Sequence, residues 1–245
     1  MKILVAGYGF VGSVHALTLG NCQVYDPAKG YNDPIDDSID AVIIAVATPQ
    51  GQQGICDASN VLDVIERVPN VPILIKSTVG LESWRVITEL FPDRPITFSP
   101  EFLRQDYAMQ DFKKQKVTYL GGGDLGFWTH VLKPLGTEFE YANPEELILA
   151  KYYRNAFLAT KVIFFNQVHD MCNNAQVDPD KVIEIVSADK RIGKSHTSVT
   201  AERGFGGHCF PKDTEAILAT ARKYGAKLSL IREAVLSNVL LRKPK

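Results

Sequence analysis

The chain opens on a short apolar run, Lys2-Ile3-Leu4-Val5-Ala6, of the kind that forms a buried strand. Helix-like spacing follows at Ser13-Val14-His15-Ala16-Leu17-Thr18-Leu19, and a second strand at Cys22-Gln23-Val24-Tyr25. The alternation continues. Ala41–Val46, Pro72–Ile75, Pro95–Phe98, Val117–Leu120 and, more weakly, Glu138–Tyr141 read as strands, whereas Asp57–Val68 and Leu81–Leu90 carry helical periodicity. Strands alternating with helices predict a doubly wound parallel sheet of the Rossmann type. The stretch from Asp26 to Asp40 is rich in Pro, Gly and Asp and reads as loop, with little room for a helix.

At residue 143 the rhythm changes. Asn143-Pro144-Glu145-Glu146 joins a capping residue, a first-turn proline and two acids at the positive dipole end. No Gly or Pro then interrupts the apolar-rich pattern up to Asn174, which predicts a helix of ~45 Å. Shorter helices are expected over Asp180–Val186, Asp213–Tyr224 and Leu230–Leu241. The expected organisation is a dinucleotide-binding domain over 1–142 and a smaller all-helical domain over 143–245.

Bulk composition narrows the class. A chain of 245 residues with 45% hydrophobic and 22% charged residues is long enough to bury a sizeable core. A net charge of -1 without a Lys/Arg block argues against a nucleic-acid surface. No apolar run reaches membrane-spanning length and no secretory leader is visible, so no membrane partner is expected. Cys22, Cys56, Cys172 and Cys209 are scattered, with no CxxC pair. That pattern suits a reducing cytosol and offers neither a disulfide framework nor a metal site. His15, His130, His169 and His196 show no metal spacing.

Two motifs carry chemistry. Gly7-Tyr8-Gly9-Phe10-Val11-Gly12 lies between a strand and a helix, with Asp26 closing the second strand. The first glycine serves the tight turn, the second admits a pyrophosphate, and the third lets helix and strand pack. Asp26 would accept from a ribose 2′-hydroxyl and repel a 2′-phosphate, so NAD is expected over NADP. Ligands of such sheets bind beyond the strand ends, which marks Thr48, Lys76-Ser77-Thr78 and Ser99-Pro100-Glu101. The second motif is Gly204-Phe205-Gly206-Gly207-His208-Cys209-Phe210-Pro211-Lys212-Asp213. Taken alone, Cys209 reads as a small core residue. Glycines leading into a helix start, with Lys212 nearby, are also a setting that favours a thiolate. Lys151 and Asn155, four apart, share a face of the long helix.

These stretches together resemble the UDP-glucose/GDP-mannose dehydrogenase family. The resemblance rests on GYGFVG, Lys76-Ser77-Thr78-Val79, Ser99-Pro100-Glu101-Phe102-Leu103-Arg104, the run from Lys151 to Lys161, Arg191-Ile192-Gly193 and GFGGHCFPKD, in family order. It implies four-electron, NAD-dependent oxidation of a nucleotide-sugar C6 alcohol to a carboxylate, with UDP-glucose as the first expectation. Cys209 would carry a thiohemiacetal and then a thioester, which water cleaves. Lys151 would steady the oxyanion, Asn155 would bind substrate near the reacting carbon, and Asp213 would order water and lysine. Glu101 would serve hydrolysis, and Thr78 would stand at the water and the nicotinamide. The implied cofactor set is Gly7, Gly9, Phe10, Val11, Gly12, Asp26, Thr48, Thr78, Gln105 and Lys212. For the substrate it is Glu101, Phe102, Leu103, Arg104, Lys151, Asn155, Arg191 and Gly206. Arg191 would reach across a homodimer built on the long helix.

The sequence also departs from the pattern. Gln105 stands where a second glutamate is usual, keeping hydrogen-bonding capacity without charge. Val79-Gly80 lacks the usual proline, and the insertion after the second strand is only a loop. Ending at Lys245, the chain is expected to lack the family's third domain, which grips the nucleotide base. Three alternatives therefore stay open: the same chemistry on GDP-mannose, another UDP-sugar or a smaller sugar phosphate; an NAD-binding partner subunit; and a Cys-His hydrolase using His208.

Overall fold

A computed structural model describes residues 1–104 and 107–242. The chain divides into two compact units. The first comprises 1–51 and 56–151; the second comprises 52–55 and 152–245.

The first unit is built on a parallel sheet of β1 (Ile3–Ala6), β2 (Cys22–Tyr25), β3 (Ala41–Ile44), β4 (Ile73–Ile75) and β5 (Ile96–Phe98). Their order is β2-β1-β3-β4-β5, with β1 pairing on both sides. Residues of β1, β3, β4 and β5 are buried on both faces, which is why these strands read as continuous Val/Ile/Leu runs rather than alternating ones. Each such side chain contributes about 1.5–3 kcal/mol of burial. The crossovers are α1 (Phe10–Leu19), α2 (Ser59–Arg67) and α3 (Leu81–Leu90). The link from β2 to β3 has only a single 3-10 turn at Pro27–Lys29, as its loop composition indicates.

Two features differ from the expected pattern. β6 (Val117–Leu120) and β7 (Glu138–Tyr141) form their own parallel pair, tied to β5 by an antiparallel bridge from Phe98 to Gly121 rather than by a strand ladder among the described residues. The chain also contains two seven-residue helices, α4 (Ala108–Lys114) and α5 (Leu125–Val131). Each is too short to show a helical period, and Gly126 in the first turn of α5 disguises it further. Asp124 caps α5 through the Phe127 N–H at 2.9 Å. α5 earns its place by burying Trp128 and Val131 against β1, β3 and Leu74.

The long helix α6 (Pro144–Asn174) has 31 residues, as the uninterrupted pattern indicates, and runs from the first unit into the second. The second unit adds α7 (Pro179–Ala188), α8 (Cys209–Lys223) and α9 (Ser229–Leu241). Its core joins Ala159 and Ile163 of α6, Phe205 of the glycine loop and Ala234 of α9. α8 begins at Cys209, four residues earlier than Asp213, because Pro211 fits the first turn, where its missing N–H costs nothing. Among the described residues no helix is long and apolar enough to cross a membrane.

Candidate active site

The dinucleotide turn has the geometry its glycines imply. Gly7 has φ +90°, and a Cβ there would lie 2.5 Å from the Ala45 carbonyl oxygen. A Cβ on Gly12 would fall 1.8 Å from the Gly7 oxygen, so the third glycine is demanded by helix–strand packing. Gly9 is different: a Cβ there would meet nothing within 4 Å. The protein itself does not need that glycine; the open space in front of the α1 N-terminus suits a pyrophosphate. Phe10 and Val11 follow as the first residues of α1, both half-buried. Asp26 Oδ2 accepts the Tyr8 N–H at 2.8 Å, while Oδ1 has no protein partner among the described residues. The turn and Asp26 thus fit the pyrophosphate and one ribose of a dinucleotide.

The loops after β3 and β4 are joined by Cys56. Its Sγ–H lies 3.1 Å from the Thr78 carbonyl oxygen and 3.8 Å from that of Thr48, so the two threonines flank one buried thiol. Thr48 is buried and Thr78 half-buried.

Glu101, three residues past β5, is 3% exposed. Its Oε1 takes the Lys76 ammonium at 2.5 Å and His15 Nε2 at 3.1 Å. Lys76 also donates to Ser99 Oγ at 2.7 Å. Burial pushes the Glu101 carboxyl up, but the Lys76 ammonium and the His15 hydrogen bond together outweigh it and hold the group at about 2. Burial, then the adjacent Lys76 charge, lowers the pKa of His15, so the ring is neutral and donates from Nε2. The Lys151 ammonium donates to the Glu101 backbone carbonyl and lies 5.7 Å from the Phe102 ring centre. Leu103 is half-buried; Arg104 is exposed and forks onto Asp111, at 2.6 and 2.9 Å. Gln105 lies outside the described residues.

In the second unit, Cys209 is the first residue of α8 and half-buried. One turn on, Asp213 is 1% exposed. Asn155 Nδ2 donates to Asp213 Oδ2 at 2.6 Å, and Lys212 Nζ pairs with Oδ1 at 2.7 Å. The cation three residues after the cysteine therefore pairs with a buried carboxylate. Lys151 and Asn155 are one turn apart on α6.

The glycine loop is fastened from two helices. Asn166 Oδ1 on α6 accepts the Gly204 N–H at 3.1 Å and Arg203 Nε at 2.8 Å. Asn238 Oδ1 on α9 accepts the Phe205 N–H at 2.6 Å. Gly204 has φ +56°, and a Cβ would press within 2.2 Å of Asn238. At Gly206 it would lie 2.6 Å from the Arg242 guanidinium. The sequence reading missed Asn166 and Asn238; a buried asparagine on an apolar helix face was the available signal. Arg191 follows α7 with its side chain 89% exposed and pairs with Asp189 at 2.5 Å.

A dinucleotide-type sheet followed by helices that carry a fastened glycine–cysteine loop defines an α/β class with an appended helical region. A model of the UDP-glucose/GDP-mannose dehydrogenase family, central domain, matches residues 146–239. The UDP-glucose 6-dehydrogenase of Campylobacter jejuni is 31% identical, over 99% of this chain and 73% of its own length. That of Rhizobium meliloti is 31% identical over 93% of this chain, which spans only 60% of that relative. A solved UDP-glucose dehydrogenase from Pyrobaculum islandicum superimposes with a TM-score of 0.83 at 27% identity, covering 98% of this chain and 68% of its own. The chain belongs to the UDP-glucose/GDP-mannose dehydrogenase family.

Proposed function

We propose that the chain carries out NAD-dependent, four-electron oxidation of a nucleotide-sugar C6 alcohol to a carboxylate, UDP-glucose to UDP-glucuronate being the first candidate. The observation that supports it most is the arrangement around Cys209. A thiol at a helix N-terminus stands one turn from a buried carboxylate that is bonded to both Asn155 and Lys212. The helix dipole favours the thiolate, and Asp213 fixes the amide that would orient substrate. NAD, when bound at the Gly7–Gly12 turn, would take up hydride in each of two oxidations. Cys209 would trap the intermediate aldehyde as a thiohemiacetal and carry the acyl group as a thioester. Lys151 would steady the oxyanion, a contribution that in a dry site amounts to several kcal/mol. Glu101 would accept a proton from the water that cleaves the thioester. Thr78 would hold that water, and Phe102 to Arg104, Arg191 and Gly206 would line the sugar nucleotide.

The test is NADH formation across a panel of UDP- and GDP-sugars. Two NADH per UDP-glucose are expected, and Cys209→Ala abolishes them. No NADH with any member of the panel would end this reading.

We also propose a homodimer formed along α6. Tyr153, Phe157, Phe164 and Met171 are 45–68% exposed and recur at spacings of four and seven, a stripe along the helix. Phe157→Glu with Phe164→Glu is expected to convert a dimer to a monomer in light scattering behind size exclusion. Unchanged mass, or a monomeric wild type, would refute the dimer.

A further inference from the structure

Resting on the proposed NAD site, the sheet order says where the second half of that cofactor lies. The Gly7–Gly12 turn follows β1, and Asp26, which suits one ribose, directly follows β2 on one side of it. β3 and β4 come on the other side, in the order β2-β1-β3-β4-β5. A dinucleotide spans the carboxyl ends of such a sheet, so its second nucleoside falls on the chain leaving β3 and β4.

Those two stretches are packed onto the turn and onto each other. A Cβ on Gly7 would lie 2.5 Å from the Ala45 oxygen and 2.7 Å from the Val46 nitrogen, so the turn rests on the chain leaving β3. The registered pairing of β3 with β4 ends at Ile44 and Ile75. Past it, side chains make joints. Ser77 Oγ donates to the Val46 carbonyl at 2.8 Å. The Cys56 thiol donates to the Thr78 carbonyl at 3.1 Å and reaches that of Thr48 at 3.8 Å. Ser83 Oγ of α3 donates to the Cys56 carbonyl at 3.5 Å, so thiol and main chain of Cys56 are both tied to the start of α3. Ser77 is 5% exposed and Cys56 2%. A carbonyl in such a place is costly to deprive of its donor, so removing either side chain favours a shift of the two stretches.

We propose that Ser77 and Cys56 form a clamp that positions the nicotinamide half of the cofactor. Together they set how far residues 46–48 stand from residues 77–78, and so where Thr48 and Thr78 meet that half. Neither is assigned a contact with the reacting atoms. The adenosine half rests on other bonds. Its turn is tied by main chain, the Gly7 N–H to the Tyr25 oxygen at 2.8 Å and the Ala45 N–H to the Ala6 oxygen at 2.7 Å. A side chain that merely stabilised the whole unit would not separate the two halves; the clamp does.

The test compares NADH, which fills both halves, with ADP, which fills only the adenosine half, each titrated by calorimetry. Ser77→Ala and Cys56→Ala remove a donor, Cys56→Val does so at larger volume, and Cys56→Ser keeps one. The three variants without the donor should bind NADH at least fivefold more weakly while their ADP affinity changes less than twofold. Cys56→Ser should stay within about twofold of wild type for both ligands. Unchanged NADH affinity in these three variants, or NADH and ADP weakened alike, would overturn the clamp. If Cys56→Ala does not fold, Cys56→Val and Ser77→Ala decide by the same ratio. A wild type that binds NADH yet oxidises no nucleotide sugar ends the proposed function and leaves the ratio to decide the clamp; a wild type that binds no NADH ends both.

Discussion

Each unit buries one carboxylate against a lysine, and the two are held in opposite ways. Asp213 has both oxygens occupied, Oδ2 by Asn155 and Oδ1 by Lys212. Glu101 is held through one oxygen, which both Lys76 and His15 engage, and its other oxygen takes no protein donor among the described residues. Their lysines differ too: the Lys76 side chain is fully buried, whereas that of Lys212 is 16% exposed. The difference separates two roles. With a partner on each oxygen, Asp213 serves as a fixed point for the Asn155 amide. Glu101 is anchored instead at a single oxygen, by a cation and a neutral ring together.

Removal of each cation separates the two carboxylates most strongly. Lys76→Met leaves Glu101 as an uncompensated buried charge, and loss of one partner of a buried pair costs about 3–5 kcal/mol. Lys212→Met strips a partly solvated cation from Asp213, which keeps its Asn155 bond; a smaller loss of about 1–3 kcal/mol is expected there, since water can reach the site the ammonium leaves. Urea denaturation of both variants measures the gap. Equal losses would erase the distinction between the two carboxylates.

The sequence marks the two carboxylates unequally. Asp213 lies within four residues of Cys209, so one motif brings thiol, cation and acid together, and helical spacing does the rest. Glu101 and Lys76 are visible as residues at strand ends, since parallel sheets collect ligands there. That they touch depends on β4 pairing with β5, which short apolar runs suggest. His15 offered no such clue. It lies three residues after Gly12 on a helix that seemed complete as the dinucleotide helix, and its partner is set by the tertiary path alone. The same holds for Asn166 and Asn238, whose roles depend on where α6 and α9 pass the glycine loop. The short helices α4 and α5 escaped for a local reason: seven residues hold too few periods to be seen. α4 nonetheless supplies Phe112, which orients His15.

The smallest effect expected is in pH, and it sharpens the comparison within the Glu101 cluster itself. The folded-state pKa of His15 lies below its ordinary 6.5, through burial and then the Lys76 charge. The unfolded chain thus binds a proton that the folded chain refuses, and stability falls as pH drops through 6.5. Glu101 is lowered from 4.5 to about 2, because Lys76 and His15 overcome its burial. Its stabilisation is complete above 4.5 and is lost as pH falls from 4.5 toward 2. Both slopes have the same sign, so the melting temperature should decline in two stages on acidification. His15→Gln, which keeps a donor but cannot titrate, should delete the upper stage only. Glu101→Gln should flatten the lower one relative to wild type, and what remains there belongs to surface carboxylates such as Asp111, held low by Arg104. Melting curves from pH 7.5 to 3 read both stages. If wild type and His15→Gln decline together between pH 6.5 and 4.5, His15 is not the neutral buried donor on Oε1.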